Sequence, residues 1–197
     1  SNVQYDENYH ANAFTDATGQ IADKMYHAMF EGSNVSSKLR SIAAGAVMAS
    51  QTAATEISYA EANGAGWHIN YKSQRDFITY LLALISKSTN SQAVFGQGNS
   101  SSAAYIAPGA LKAKGRFWGD DATDVAVKVF FIEHFWGNYW KRISGLLYNE
   151  TADILIKATP PYSLTGVGYT NTDVTPTGTS GQYITAGTLT DAGFLPK

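Results

Sequence analysis

Residues Val127–Leu147 read VKVFFIEHFWGNYWKRISGLL, the densest aromatic run of the chain, with Phe130, Phe131, Phe135, Trp136, Tyr139 and Trp140 gathered around one Gly137-Asn138 pair. The β-branched, aromatic and small residues of 125–132, interrupted by Lys128, predict a strand. Gly137-Asn138 predicts a turn, because glycine tolerates positive φ and asparagine tolerates it better than most residues. Tyr139–Leu147 then reads as a second extended segment. Such a ribbon carries large side chains on both faces. One face fills a core, with Val127, Val129, Ile132, Trp140 and Leu146 as the expected framework. The other is free to recognise a partner.

The remaining sequence bounds the choices. A chain of 197 residues is long enough for a sizeable core. Its formal net charge of −2 gives no reason to expect nucleic acid or an anionic membrane as partner. Ser, Thr, Asn and Gly replace much of the usual charge, a composition suited to loop-rich β proteins and to extracellular or virion surfaces. There is no cysteine, which removes disulfides, thiolate metal sites and thiol catalysis together. No apolar run approaches the roughly 18 residues of a membrane span, so membrane insertion is not expected. The opening SNVQYDENYH is polar and does not read as a secretory leader.

Residues 1–18 read as a polar lead-in and 19–197 as a single domain. Ile21, Met25, Ala28 and Met29 have helical spacing, so a short helix is expected over Gln20–Phe30, ended by Gly32-Ser33-Asn34. Leu39–Val47 is ambiguous. Thr55–Asn63 predicts a helix with Thr55 as cap and Gly64 beyond its end. Ser73–Ser86 is the clearest helix, with Ser73 and Asp76 as a variant capping box and an apolar stripe of Phe77, Leu81, Leu84 and Ile85. Ile154 and Ile156 share one face of a later strand, reached through Asn149-Glu150. From Thr159 onward, Pro160-Pro161 and the Thr/Gly-rich composition predict irregular structure anchored by Tyr162, Tyr169, Tyr183, Ile184 and Phe194.

Two fragments carry a resemblance. Gly66-Trp67-His68-Ile69, followed by Asp76-Phe77 and Leu81-Leu82, resembles the "GWHhPT…EW…L" signature of the C-type-lectin-like fold, in the branch that holds formylglycine-generating enzymes and phage tropism proteins. Gly137-Asn138-Tyr139-Trp140-Lys141-Arg142 is similar to that branch's "GNvWEW" strand. Asn70 stands where proline is usual, Phe77 where tryptophan is usual, and Arg142 where the second tryptophan is usual. Over most of the chain, KLRSIAAG, SYAEANGAGWH, SQAVFGQGNSSS, the Val127–Leu147 block and SGQYI resemble an uncharacterised family of minor structural proteins from phages of gut bacteria. The resemblance implies an α+β, C-type-lectin-like fold with two or three helices, a small antiparallel sheet and extensive irregular loops. It also implies a virion-surface, extracellular protein for host attachment, such as a tail-fibre component. Positions corresponding to Phe131, His134, Asn138, Tyr139 and Lys141 are ones that a diversity-generating retroelement would vary.

The expected ligand-binding residues are therefore Phe131, His134, Asn138, Tyr139, Lys141 and Tyr148, facing a host cell-surface protein or glycan. Other virion proteins and further copies of the chain are the remaining expected partners. Tyr, Asn and His on a stiff ribbon give large amphipathic contacts at low entropy cost. The alternative is a capsid-decoration or tail-fibre module whose rings are simply packed.

No catalytic residue, metal ligand or cofactor is expected. Enzymes of the resembled branch hold copper through a cysteine pair or iron through clustered histidines. Here His10, His27, His68 and His134 are dispersed. Glu133 and His134 are adjacent strand residues, which point to opposite faces and cannot easily cooperate. His68 reads as structural. Asp120, Asp121 and Asp124 depart from the EF-hand spacing and read as a solvated loop. Gln97–Ser102 lacks the lysine and following helix of a phosphate loop.

Overall fold

A computed structural model describes residues 11–99, 104–119, 126–175, 187–190 and 193–196. In chain order these form a 3-10 turn (Asn12–Phe14), β1 (Gly32–Val35), β2 (Lys38–Ser41), α1 (Ala53–Glu61), α2 (Lys72–Ser86), α3 (Ser91–Phe95), β3 (Trp118–Gly119), β4 (Val127–Val129), β5 (Ile132–Glu133), β6 (Leu146–Tyr148), β7 (Ile154–Ile156), β8 (Thr170–Asn171), β9 (Gly187–Thr190) and β10 (Gly193–Pro196). The architecture is mixed α+β with small antiparallel sheets: β1-β2, β3-β4-β5, β6-β7-β8 and β9-β10. The chain divides into two compact units, one of residues 1–25, 70–81 and 143–197, the other of 26–69 and 82–142.

In the unit of 26–69 and 82–142, two hairpins turn through unexpected residues. Ser36 and Ser37 connect β1 to β2 with φ of 52° and 60°. Phe130 and Phe131 connect β4 to β5 with φ of 50° and 67°. Paired positive φ in a two-residue loop is the geometry that ordinarily selects Asn-Gly. The strand expected over 125–132 is thus broken at Phe130. Gly137 and Asn138 do adopt positive φ, 73° and 65°, but join no two strands, and 139–145 lie outside any strand. Packing overrides turn preference here. Phe130 meets Phe117 edge-on at 5.0 Å, and the Phe131 ring lies within reach of the Arg116 and Lys128 cations at 5.7 and 5.5 Å. Val127, Val129 and Ile132 are buried as expected, together with Leu82, Leu111 and Phe135. Trp140, expected in the core, is fully exposed (102%).

The α1 helix starts earlier than expected, at Ala53, because Thr52 is the cap. Its hydroxyl accepts from the Thr55 amide at 3.1 Å. Gly64, with φ of 130°, follows the helix end as the sequence predicts.

The helix expected over 20–30 does not form. Asp16 Oδ1 takes the amides of Thr18 and Gln20 at 2.8 and 3.0 Å, and Thr15 bridges to Ile21. A short acceptor side chain that captures local amides competes with helical bonding. Residues 32–34 form β1 rather than a helix stop. The last part of the polar lead-in is packed: Ala13 and Thr15 are buried, and Phe14 meets Phe77 edge-on at 5.4 Å. Helix α2 begins with a Lys72–Asp76 ion pair. Its buried row is Gln74, Ile78 and Leu82, while Leu84 and Ile85 of the expected stripe are exposed. A polar Gln74 on the inner face hides that row from hydropathy patterning. Ile154 and Ile156 point inward from β7 as expected, with Leu146 packed against them. Tyr162 meets Tyr71 at 4.8 Å and Tyr169 at 6.5 Å, anchoring the irregular segment. Tyr183 and Ile184 lie outside the described residues.

Candidate ligand-binding site

The aromatic segment is positioned from below by two buried polar devices. The first lies in the β4–β5 ladder, where Lys128 is directly opposite Glu133. Both are buried, at 1% exposure. Lys128 Nζ donates to the carbonyls of Leu111, Lys112 and Lys114 at 2.8, 3.4 and 2.9 Å. Glu133 accepts from the amides of Gly109 and Leu111 at 2.6 and 3.1 Å. The two side chains hold opposite polarities of one loop, residues 109–114. Burial raises the Glu133 carboxyl above its usual range, opposed by those amides and by Lys128. Both Glu133 oxygens are thus engaged by the loop.

The second device is centred on Asn138. Its side chain pairs with the backbone of Ile106 as a neighbouring strand would, Oδ1 accepting from the amide at 2.8 Å and Nδ2 donating to the carbonyl at 3.1 Å. Nδ2 also donates to Glu31 Oε2 at 2.5 Å, and Asn99 Nδ2 donates to Asn138 Oδ1 at 3.1 Å. Lys141 Nζ stands 2.8 Å from Glu31 Oε1 and donates to the Gly137 and Tyr139 carbonyls at 2.9 and 3.3 Å. The Lys141–Glu31 contact is an ion pair without hydrogen-bond alignment, so Glu31 Oε1 has no hydrogen-bond donor. The backbones of 98–99 and 136–137 touch: a Cβ on Gly137 would lie 2.6 Å from the Asn99 amide nitrogen, and one on Gly98 2.7 Å from the Trp136 ring. Glycine at both positions is what permits this approach.

These devices redistribute the expected site. His134 is wholly buried (0%), with neither ring nitrogen hydrogen-bonded. It was expected on the outer face, but φ of 51° breaks the strand alternation at this residue and turns it inward beside Glu133. Burial lowers its pKa, with Glu31 opposing and Lys141 reinforcing the shift. Asn138 and Lys141 also face inward, held by the bonds above. Phe131 is exposed (43%) at the hairpin tip, Tyr139 is half-buried, and Tyr148 is exposed on the other unit.

What faces outward around the turn is a different set. Tyr139 packs against Tyr105 at 5.1 Å, and Trp140, the next residue, makes its whole surface available. Arg142, also exposed, pairs with Glu56 at 3.0 Å and donates to the Gln51 carbonyl at 2.5 Å. Tyr105 sits in a stretch with no pattern of its own. The Asn138–Ile106 pairing brings it to Tyr139, together with Asn99 Nδ2, which donates to the Ala104 carbonyl at 2.8 Å, so the signal that would have found it is the side-chain amide mimicking a strand. The stretch Gln97–Asn99 serves as the brace of this turn. His68, expected to be structural, is half-buried with Nδ1 at 2.7 Å from the Ile69 carbonyl. The described residues hold no group of three or more His, Cys, Asp or Glu side chains suited to a metal. Asp120, Asp121 and Asp124 lie outside them. No described helix is long and apolar enough to cross a membrane.

No family model, curated protein or solved structure matches this chain.

Proposed function

We propose that this chain is a phage virion domain of C-type-lectin-like type that binds a host-surface protein or glycan, without catalysing a reaction on it. The binding surface is the ring set Tyr105, Tyr139 and Trp140, with Phe131 as a second exposed ring of the same unit. The observation that carries the reading is Trp140. Trp140 is exposed next to Tyr139 of the Tyr105–Tyr139 ring pair, aromatic side chains of the kind that anchor interfaces, and it sits in a turn pinned by Asn138, Lys141 and Glu31. A pinned backbone under outward rings lowers the entropy lost on binding. The lectin-like fold rests on the motif resemblance of Gly66–Ile69 and Gly137–Arg142, and the phage assignment on the wider resemblance of KLRSIAAG, SYAEANGAGWH, SQAVFGQGNSSS, the Val127–Leu147 block and SGQYI.

The inward placement of His134, Asn138 and Lys141 favours the structural alternative for half of the ribbon, so these three hold the turn and the rings make the contact. The test is binding of the labelled chain to a panel of gut-bacterial isolates, with Tyr139→Ala alongside. Binding to some isolates, weakened by Tyr139→Ala, is expected. Binding to none contradicts the function, and equal binding by both proteins contradicts the site.

A further inference from the structure

Glu31 bridges an amine and a carboxamide. One carboxylate oxygen lies 2.8 Å from Lys141 Nζ, the other 2.5 Å from Asn138 Nδ2. The Asn138 carbonyl oxygen receives two donors, the Ile106 amide at 2.8 Å and Asn99 Nδ2 at 3.1 Å. The Glu31 and Lys141 side chains are only 6% and 18% exposed. An amine nucleophile, a carboxylate able to carry its proton, a polarised carbonyl and a leaving nitrogen in contact with that same carboxylate are the parts of an acyl transfer. A simple ion pair needs neither the second contact of Glu31 nor paired donors on the amide oxygen.

We propose that Lys141 and Asn138 join through an intramolecular isopeptide bond, with Glu31 as the proton carrier. Lys141 Nζ moves from its ion-pair position into hydrogen-bond alignment with Glu31 Oε1, gives it a proton, and attacks Asn138 Cγ with the freed lone pair. The Ile106 amide and Asn99 Nδ2 hold the oxyanion of the tetrahedral intermediate. The Cγ–Nδ2 bond breaks as Glu31 returns a proton to Nδ2. Nitrogen departs as ammonia, which takes up the further proton lost by Lys141 and leaves as ammonium. The sum is an ammonium side chain and a carboxamide giving one secondary amide and one ammonium ion, with no oxidant or external reactant. The bond staples the turn below Tyr139 and Trp140. The inference stands apart from the receptor-binding reading, since the staple forms whatever the rings bind.

Intact-mass spectrometry of the purified chain tests it, followed by tandem spectra of its tryptic peptides. The expected mass is lower than the sequence mass by one ammonia. The loss maps to the segment from Asn138 to Lys141, and trypsin fails to cut after Lys141. Glu31→Gln and the charge-preserving Lys141→Arg are expected to carry the full mass while keeping wild-type circular dichroism. A folded wild-type chain of full mass overturns the proposal. So does an ammonia loss that maps elsewhere, for instance to a succinimide at Asn63-Gly64, or one that persists in Lys141→Arg.

Discussion

Lys128 and Glu133 sit opposite each other across the β4–β5 ladder and hold the carbonyl and amide groups of the same loop. Each is buried at 1% exposure. Removing one partner leaves an uncompensated buried charge and strands the loop's polar groups, which costs about 3 kcal/mol or more. Lys128→Met and Glu133→Gln are each expected to lower the unfolding free energy read from urea titration by that amount. Lys128→Met/Glu133→Gln is expected to lose less than the sum of its parts. Additive losses in the double-mutant cycle would show that the two side chains do not act as a pair.

The Ser36-Ser37 hairpin gives a clean test of turn strain. Both serines are exposed with positive φ, and the Ser37 amide donates to Asn34 Oδ1 at 3.1 Å, a bond that substitution leaves in place. Ser36→Asn/Ser37→Gly supplies the residues this geometry prefers and is expected to stabilise the fold by about 1 kcal/mol in urea titration. A loss of stability would contradict the assigned turn.

His134 makes stability depend on pH. Burial holds its folded pKa below the ordinary 6.5. Between the two values the unfolded chain binds the extra proton, so stability is full above about pH 6.5 and declines as pH falls below it. His68, also lowered by burial, contributes with the same sign. His134→Leu is expected to shallow the decline by about one proton, read from urea midpoints between pH 7 and 5. An unchanged slope would place the His134 ring in water.

Asp153 adds a separate acid limit. Hydrogen bonds from Thr175, Thr151, Asn149 and Asn171 hold its carboxyl down to about 2, from 3.8. Its contribution is present above pH 3.8 and is lost as pH falls toward 2. In Asp153→Asn that part of the acid transition, followed by tyrosine fluorescence, is expected to disappear.

Much of the fold was legible because local chemistry and burial agree there. The place of helix α2, the Gly64 after α1 and the inward Ile154 and Ile156 follow from local sequence, although Ser73 lies inside α2 rather than capping it and Leu84 and Ile85 of the expected stripe are exposed. The Phe130-Phe131 hairpin was not legible, because its positive φ values are held by Phe117, Arg116 and Lys128 rather than by turn residues. The site divided for a similar reason. Asn138, Lys141 and His134 have the composition of a recognition surface, yet Asn138 and Lys141 are drawn inward by Glu31, a residue more than 100 positions earlier whose partnership no local pattern records, and His134 is turned inward by its positive φ. Trp140, between Asn138 and Arg142, is exposed, which reverses its expected place in the core.

Asn138 is the hinge between scaffold and surface. Asn138→Ala removes both bonds to Ile106 and frees the loop that carries Tyr105. The expected result is a loss of about 2 kcal/mol in stability, with Tyr105 and Tyr139 separated in a crystal structure of the variant. Retention of the 5.1 Å ring contact would show that Asn138 does not position them.

The most direct measurement compares cell-surface affinity of the wild type with Trp140→Ala, using Tyr148→Ala, which alters an exposed ring of the other unit, as reference. Removal of a central aromatic anchor is expected to weaken binding about tenfold or more, while Tyr148→Ala stays near wild type. Equal affinity for the wild type and Trp140→Ala, both folded, would contradict the account.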